Sequence, residues 1–173
     1  MTRLMLIALL ALLLLSACTG KPDNIKPVEN FQSKKYLGQW YEIARIDHRF
    51  ERGLSKVTAN YSKRDGGGIQ VVNRGYSEEK KQWKESIGKA YFVGSENQAY
   101  LKVSFFGPLY GSYIVFELDQ DNYQYAMVAG PDKSYFWLLS RTPKMDAALQ
   151  KKLIDKAVNL GYDRQKIILV QQE

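Results

Sequence analysis

The chain carries very few side chains of the kinds that usually act as nucleophiles or metal ligands. It has one cysteine, Cys18, and one histidine, His48, among 173 residues. A thiol–imidazole pair, a zinc site or a haem site needs several such groups at suitable spacing. We therefore predict no catalytic residue, no metal site and no cofactor. His48 stands in the run 47–50 (Asp-His-Arg-Phe), where we expect it at the surface or packed in a loop.

Two carboxylates keep an enzymatic alternative open. To act as a general acid or base, Glu42 or Glu117 would have to lie deep in a cavity with a perturbed pKa. We interpret Glu42 instead as the ion-pair partner of Arg141 or Arg45. The glycines at 66–68 do not form a phosphate cradle, because no Lys-Ser/Thr pair and no helix follow them. An enzyme that modifies lipids is the least favoured of the functions considered.

The cysteine follows a segment typical of exported proteins. Arg3 precedes twelve apolar residues at 4–15, whereas a membrane-spanning helix needs roughly 20. The run therefore fits a signal peptide. Residues 15–18, Leu-Ser-Ala-Cys, resemble the lipobox of bacterial lipoproteins. The resemblance implies cleavage before Cys18, which then carries S-diacylglycerol and N-palmitoyl groups. Thr19, where an Asp would retain the protein at the inner membrane, implies the periplasmic face of a Gram-negative outer membrane.

The rest of the chain has the length of a single domain. The full sequence has a formal net charge of +7, which falls to +6 without Arg3, and such a positive charge suits a protein held near anionic head groups. Because the signal segment directs the chain away from nucleic acid, we predict no nucleic-acid partner. We divide the chain into a signal peptide at 1–17, a lipidated tether rich in polar residues and proline at 18–35, and a barrel domain at 36–173.

Short runs rich in Tyr, Val, Ile and Phe follow one another from Tyr36 onward, separated by turn residues. Eight such runs with short connections favour an all-β fold, an antiparallel up-and-down β-barrel, over a sandwich. The predicted strands are 39–46, 55–64, 69–77, 83–93, 99–106, 112–119, 123–129 and 134–141. One helix begins near Thr142-Pro143, ends at Gly161 and packs outside the barrel with its apolar stripe. A short strand at 167–170 ends the fold.

Two motifs at the ends of this strand series resemble lipocalin signatures. Residues 38–40, Gly-Gln-Trp, open the first strand, and Arg141 ends the eighth. The middle signature, usually Thr-Asp-Tyr, is reduced to an Asp and a Tyr within 119–123. Residues 41–45 and 103–108 are similar to the bacterial, lipid-anchored branch, and the resemblance covers about 30–173. It implies that Gly38, Trp40 and Arg141 close the barrel base, with the guanidinium over the indole in a structural role.

Strand alternation selects the residues that face the barrel interior. Small residues among them, such as Ala59, Gly88 and Ala126, leave volume for a cavity rather than a filled core. An apolar pocket with a few polar groups is typical of a ligand site. The residues predicted to contact ligand are Val57, Ala59, Tyr61, Asn73, Ala90, Phe92, Leu101, Val103, Phe105, Tyr113, Val128, Tyr135 and Trp137.

The predicted location indicates which ligand such a cavity would hold. A barrel anchored to the membrane meets fatty acids and lysophospholipids, and we expect it to bind them in envelope lipid storage or turnover. The main alternative is a structural or assembly lipoprotein whose barrel is filled. Phe50, Phe106 and Leu109 are expected near the barrel mouth, as a membrane-docking surface or a homodimer interface, and the sequence leaves both open.

Overall fold

The computed structural model describes residues 20–173; the predicted signal peptide at 1–17 and Cys18 lie outside the described residues. Nine strands form one antiparallel sheet in the order β2-β3-β4-β5-β6-β7-β8-β1-β9, and a further β1–β2 pairing closes it into a barrel. The strands are β1 Gly38–Ile46, β2 Leu54–Lys63, β3 Ile69–Ser77, β4 Gln82–Phe92, β5 Tyr100–Phe106, β6 Leu109–Leu118, β7 Tyr125–Ala129, β8 Phe136–Ser140 and β9 Ile167–Leu169. The predicted eight-stranded barrel is confirmed, and no strand boundary differs from its predicted position by more than three residues.

The up-and-down order assigns each connection to one end of the barrel. The connections at 47–53, 78–81, 107–108 and 130–135 lie at the end that we call the mouth. Those at 64–68, 93–99 and 119–124 lie at the opposite end, the base. The barrel closes on the base side of β1, where Gly38 pairs with Tyr61 and Tyr41 pairs with Thr58.

The helix begins later than the Thr142-Pro143 signal predicted. Helix α2 spans Ala147–Asn159, and the carboxylate of Asp146 caps it by accepting a hydrogen bond from the Leu149 amide at 2.9 Å. The Thr142 hydroxyl instead donates to the Lys144 carbonyl at 2.7 Å, which holds the preceding residues in a loop. An Asp cap stabilises a helix start by about 1 kcal/mol, and here it decides where the helix begins.

The predicted helix end is confirmed, and its geometry explains the glycine. Gly161 has a φ of +89°, a conformation that favours glycine. Its amide donates to Val158, and the amide of Tyr162 donates to Ala157. This pair of bonds is a Schellman motif, which satisfies carbonyls that the helix itself leaves free.

The segment predicted as a tether is packed against the barrel over most of its length. Ile25 and Phe31 are buried, and a short helix, α1, spans Ser33–Tyr36. The Val28 amide donates to Val115 at 2.9 Å, and the Ala99 amide donates back to Val28 at the same distance. The folded domain therefore begins before Ile25 rather than at Tyr36.

Two apolar cores result from this arrangement. The inner core lies within the barrel and includes Trp40, Leu101 and Val128. The outer core lies between the barrel wall and α2, where Leu153, Ile154 and Ala157 are buried. The helix thus packs outside the barrel, as predicted. Within residues 20–173, no helix is both long and apolar enough to cross a bilayer.

Candidate functional site

The base of the barrel is closed by a stacked cation and indole. The guanidinium carbon of Arg141 lies 3.9 Å from the centre of the Trp40 ring. The Trp40 indole N–H donates to the Tyr36 carbonyl at 2.8 Å, and the indole is fully buried. Gly38 has a φ of +94°, and a Cβ there would lie 3.4 Å from an Arg141 nitrogen. The glycine is required mainly by its backbone conformation.

Arg141 also ties the base to the N-terminal segment. Its guanidinium donates to four carbonyl oxygens at 2.7–3.2 Å, those of Lys35, Leu37, Gln39 and Tyr123. Phe31 packs beside Tyr36 with a ring separation of 5.2 Å and beside Phe92 at 6.2 Å. Aromatic side chains therefore fill much of the base half of the barrel.

A cavity occupies the remaining interior, toward the mouth. Its volume is about 80 Å³, which is small beside the roughly 300–1,000 Å³ of sites that enclose drug-sized ligands. Most of its wall is apolar or aromatic. The lining residues are Glu42, Glu51, Val57, Thr58, Ala59, Tyr61, Val71, Asn73, Val103, Phe105, Tyr113, Trp137 and Leu139.

Three tyrosine hydroxyls form a closed polar group between the cavity and the base. Tyr113 is hydrogen-bonded through its hydroxyl to the hydroxyls of Tyr36 and Tyr61, each at 2.7 Å. Burial raises the pKa of all three phenols. They therefore stay protonated at neutral pH and satisfy one another, which makes the inner end of the cavity polar without making it charged.

A buried charged group forms part of the cavity wall near the mouth. Arg45 donates to the Glu42 carboxylate at 2.7 Å and to the Glu51 and Leu54 carbonyls at 2.8 and 3.3 Å. The Glu51 carboxylate lies 3.0 Å from His48 Nε2 and accepts from the Trp137 indole N–H at 3.0 Å. These side chains hold the 47–53 connection against the barrel and fix the indole at the cavity wall.

The two carboxylates of this group have opposite pKa shifts. Burial, together with the nearby negative charge of Glu51, raises the pKa of Glu42 well above 4.5, although Arg45 acts against this. Burial also acts to raise the pKa of Glu51, but His48, Trp137 and Arg45 together outweigh it and lower the pKa. Arg45, rather than Arg141, is thus the partner of Glu42.

The structure brings together eight of the thirteen residues predicted to contact ligand. They line the cavity together, and they are Val57, Ala59, Tyr61, Asn73, Val103, Phe105, Tyr113 and Trp137. Their contact with a ligand remains a prediction. Strand alternation predicted those in β2, β5, β6 and β8, and Asn73 was expected among the polar groups of the pocket.

The other five do not line the cavity. Ala90, Leu101 and Val128 are buried in the inner core, and Phe92 packs against it. The N-terminal segment explains part of this result, because Phe31 and Tyr36 occupy the space into which the base-side residues point.

Tyr135 lies at the mouth and packs on other rings. Its ring is stacked 6.1 Å from Trp137 and lies 5.5 Å from His48. It therefore supports the cavity wall from behind Trp137 instead of forming the wall itself.

Strand alternation did not predict three residues of the cavity wall, and the structure shows why. Glu51 lies in a loop, where the strand period does not apply. Thr58 follows an irregularity in β2, where Lys56 has a φ of 51° and the register to β3 shifts between Ser55 and Thr58. Glu42 was expected near the base, but its pairing with Leu139 places it in the cavity wall.

The carboxylates of the enzymatic alternative are both engaged in ion pairs. Glu117 lies away from the cavity and pairs with Lys156 of α2, and Glu42 pairs with Arg45. His48 is buried among the rings of Phe50, Tyr135 and Trp137, a loop-packing position. Among residues 20–173, no three His, Cys, Asp or Glu side chains are grouped as a metal would require.

A closed barrel with a plugged base and a cavity toward the mouth is an up-and-down barrel of the lipocalin type. Comparison with known proteins agrees. Residues 31–172 match the family described as "Lipocalin-like domain". The chain therefore belongs to the lipocalin family.

Close relatives specify the branch. The chain is 56% identical to the outer membrane lipoprotein Blc of Vibrio cholerae, over 95% of this chain and 96% of that protein. It is 51% identical to the outer membrane lipoprotein Blc of Escherichia coli K12, over 94% and 92% of the two chains. These relatives place it among the lipid-anchored lipocalins of the Gram-negative outer membrane. Insecticyanin from the tobacco hornworm shares the fold, with a TM-score of 0.66 at 24% identity, over 87% of this chain and 85% of that one.

Proposed function

We propose that this protein is a membrane-anchored carrier of single-chain lipids, fatty acids or lysophospholipids, which it holds in the cavity at the mouth half of the barrel. The observation that carries the proposal is the contrast within one barrel between a plugged base and an apolar cavity. A barrel that served only as a structural element would have no physical reason to leave its mouth half open, because filling a cavity stabilises a core.

The shape of the cavity favours an acyl chain. At about 80 Å³ it is narrow, so a slender chain enters more easily than a fused ring system. A longer stretch of chain requires the half-buried Phe105 and Trp137 to move. The tyrosine hydroxyls at its inner end are hydrogen-bonded to one another. They therefore need no hydrogen bond from the ligand, so the methyl end of an acyl chain can lie against them.

The charges of the wall bear on the head group. The ionisable carboxylates in the wall are Glu42 and Glu51, and the Arg45 nitrogens that could attract an anion are occupied by Glu42 and by carbonyls. A fatty-acid carboxylate gains little from such a wall, whereas the ammonium of a lysophospholipid is attracted to it. Of the two ligand classes, lysophospholipids are therefore favoured, with the head group near the mouth.

Anchoring at Cys18 is part of the proposal. Diacylglycerol and palmitoyl groups on this residue would hold the carrier at the membrane where its ligands arise, since more than one chain is needed for stable anchoring. Mass spectrometry of the protein extracted from membranes tests this directly. The expected result is an N-terminal peptide that begins at Cys18 and carries three acyl chains, and a free thiol would contradict it.

Ligand binding is tested on the mature chain in which Cys18→Ser removes the lipid. Lysophosphatidylethanolamine and palmitate are titrated while tryptophan fluorescence is followed. Trp137 lines the cavity, whereas Trp40 is sealed in the base. The expected result is a saturable change that disappears in Trp137→Phe, while calorimetry still detects binding to that variant.

A structural or assembly lipoprotein remains the second candidate, and the filled base is the observation that favours it. The same titration separates the two functions. If neither lipid binds, and neither raises the midpoint of thermal unfolding, the carrier function is wrong and the assembly function takes its place.

A further inference from the structure

The N-terminal segment leaves the barrel on its mouth side. Its base-side end is fixed where the Phe31 amide donates to Asn97, in a connection at the base. From there, residues 20–31 run along the outside of the barrel. At the other end, the Ser112 hydroxyl donates to the Gly20 carbonyl at 2.6 Å, and Ser112 is in the mouth half of β6. The described chain therefore begins beside the mouth.

Chain geometry limits where an anchor at Cys18 can lie. Cys18 is two steps along the chain from Gly20, with Thr19 between them, and an extended chain spans at most about 3.6 Å per residue, or about 7 Å. Ser112 is three strand residues from Leu109 at the mouth end of β6, a distance of about 10 Å. Leu118, at the base end, is six residues away, or about 20 Å. A membrane that holds the acyl chains of Cys18 is thus within reach of the mouth and out of reach of the base.

The part of the mouth nearest this exit is an apolar tip. Residues 106–109 (Phe-Gly-Pro-Leu), which we call the hairpin tip, connect β5 and β6 and carry no polar side chain. Phe106 is 71% exposed and Leu109 is 69% exposed. Hairpin connections usually carry polar turn residues, so exposed apolar side chains at this position indicate a surface that is covered in the functional state.

Two lysines lie beside the hairpin tip or the residue that follows it. The Lys89 ammonium lies beside Gly107, and the Lys102 ammonium lies 5.3 Å from the centre of the Tyr110 ring. The stretch from Tyr100 to Phe116 contains one lysine and no carboxylate. Apolar side chains framed by lysines match a bilayer surface, whose acyl region accepts the former and whose phosphates attract the latter.

We propose that the barrel mouth faces the phospholipid surface of the membrane, with Phe106 and Leu109 inserted in it, so that the cavity loads from the bilayer without passage through water. This inference rests on the proposed acylation of Cys18. It chooses a lipid surface, rather than a second copy of the chain, as the partner of the hairpin tip.

The experiment uses the full lipidated chain, purified from membranes and reconstituted in vesicles of phosphatidylethanolamine and phosphatidylglycerol. Because Cys18 is the one cysteine and its sulfur is blocked when it carries diacylglycerol through a thioether, a cysteine placed elsewhere is labelled alone. Phe106→Cys and Leu109→Cys report on the mouth, and Asp121→Cys, exposed at the base, is the control. Each carries a polarity-sensitive thiol-reactive fluorophore, and the vesicles contain phospholipids brominated in the acyl chain.

The expected result is a blue shift and loss of most of the fluorescence at positions 106 and 109, with neither at 121. Equal quenching at the three positions, or quenching at 121 alone, would overturn the proposal. A blue shift at 106 without lipid quenching, dependent on protein density in the vesicles, would also overturn it, in favour of a second copy. If the reconstituted protein carries no acyl chains, the proposed orientation would be overturned as well.

Transfer kinetics test the functional consequence. The variant Phe106→Ser/Leu109→Ser should take up a fluorescent lysophospholipid from vesicles several-fold more slowly than wild type, with unchanged affinity in solution. Val93→Ser, an exposed apolar residue at the base, is the matched control and should change neither. If the solution titration detects no binding while positions 106 and 109 are quenched, the membrane-facing orientation of the mouth is supported and the carrier function is wrong. If the titration detects binding while positions 106 and 109 are not quenched, the carrier function is supported and the orientation is wrong.

Discussion

The two ends of this barrel use similar side chains for opposite purposes. At the base, Trp40 is fully buried under Arg141, whose donors are all directed at backbone carbonyls. At the mouth, Trp137 is half-buried at a cavity wall, and a single indole hydrogen bond to Glu51 holds it. The base is therefore fixed by many mutually satisfied contacts, whereas fewer contacts hold the indole at the cavity wall.

The difference also concerns how polar groups are buried. The three tyrosine hydroxyls at the inner end of the cavity are neutral and bond to one another. The charged group nearer the mouth combines Arg45 with two carboxylates whose pKa values shift in opposite directions. The tightly packed base and the more loosely packed mouth thus lie at opposite ends of the barrel axis. This separation allows a loosely packed site to exist in a stable fold.

The largest expected effect comes from truncating the two indoles in turn. Trp40→Ala should lower the free energy of unfolding by about 3–5 kcal/mol, the usual cost of removing a large buried ring. Trp137→Ala should cost clearly less, because its ring is already half-exposed and borders a cavity. Urea denaturation measures both, and equal losses would contradict the proposed division of the barrel.

The tyrosine group predicts a smaller loss. Tyr113→Phe removes the hydroxyl that joins Tyr36 and Tyr61 and leaves two buried phenols without this partner. The free energy of unfolding should fall by about 1–3 kcal/mol, the desolvation cost of buried groups left unsatisfied. Denaturant unfolding measures it, and a neutral substitution would show that water satisfies these groups instead.

Filling the cavity should affect binding more than folding. Ala59→Leu adds side-chain volume at the cavity wall, and we expect an affinity loss of at least about tenfold, which is 1.4 kcal/mol. Asn60→Leu introduces the same side chain at the exposed neighbouring position and serves as the control. Titration with lysophosphatidylethanolamine compares the two, and similar affinities would place the ligand elsewhere.

The subtlest effect is a change in how stability depends on pH. The pKa of Glu42 is raised in the folded protein, so its contribution is complete below 4.5 and is lost as pH rises through the raised pKa. The pKa of Glu51 is lowered, so its contribution is present above 4.5 and is lost as pH falls through the lowered pKa.

The variants Glu42→Gln and Glu51→Gln separate these contributions. The advantage of wild type over Glu42→Gln should shrink as pH rises, and its advantage over Glu51→Gln should shrink as pH falls. Free energies of unfolding between pH 3 and about 8 measure both slopes, because this interval spans the titration of ordinary carboxyl groups. Slopes of the same sign would show that the two carboxylates titrate as one unit.

Local sequence patterns were sufficient to predict the class of fold and much of the cavity wall. Strand period, turn residues and the apolar stripe of α2 are local patterns, so each element could be placed from its own residues. The Gly-Gln-Trp motif and Arg141 identified the base through their resemblance to lipocalin signatures. Seven of the cavity residues followed from alternation, which depends on the pleat and not on distant contacts.

Only the folded structure shows which part of the barrel interior is filled by side chains and which part is open. The ring of Phe31 reaches the base from a segment that the sequence predicted as a tether, and the ring of Tyr36 reaches it from the position directly after that segment; no local pattern shows that they enter the barrel. Glu51 reaches the cavity from a loop, and Gly20 meets Ser112 across 92 positions of the chain. These contacts depend on how distant segments pack, and packing is a property of the closed barrel rather than of any single run of residues.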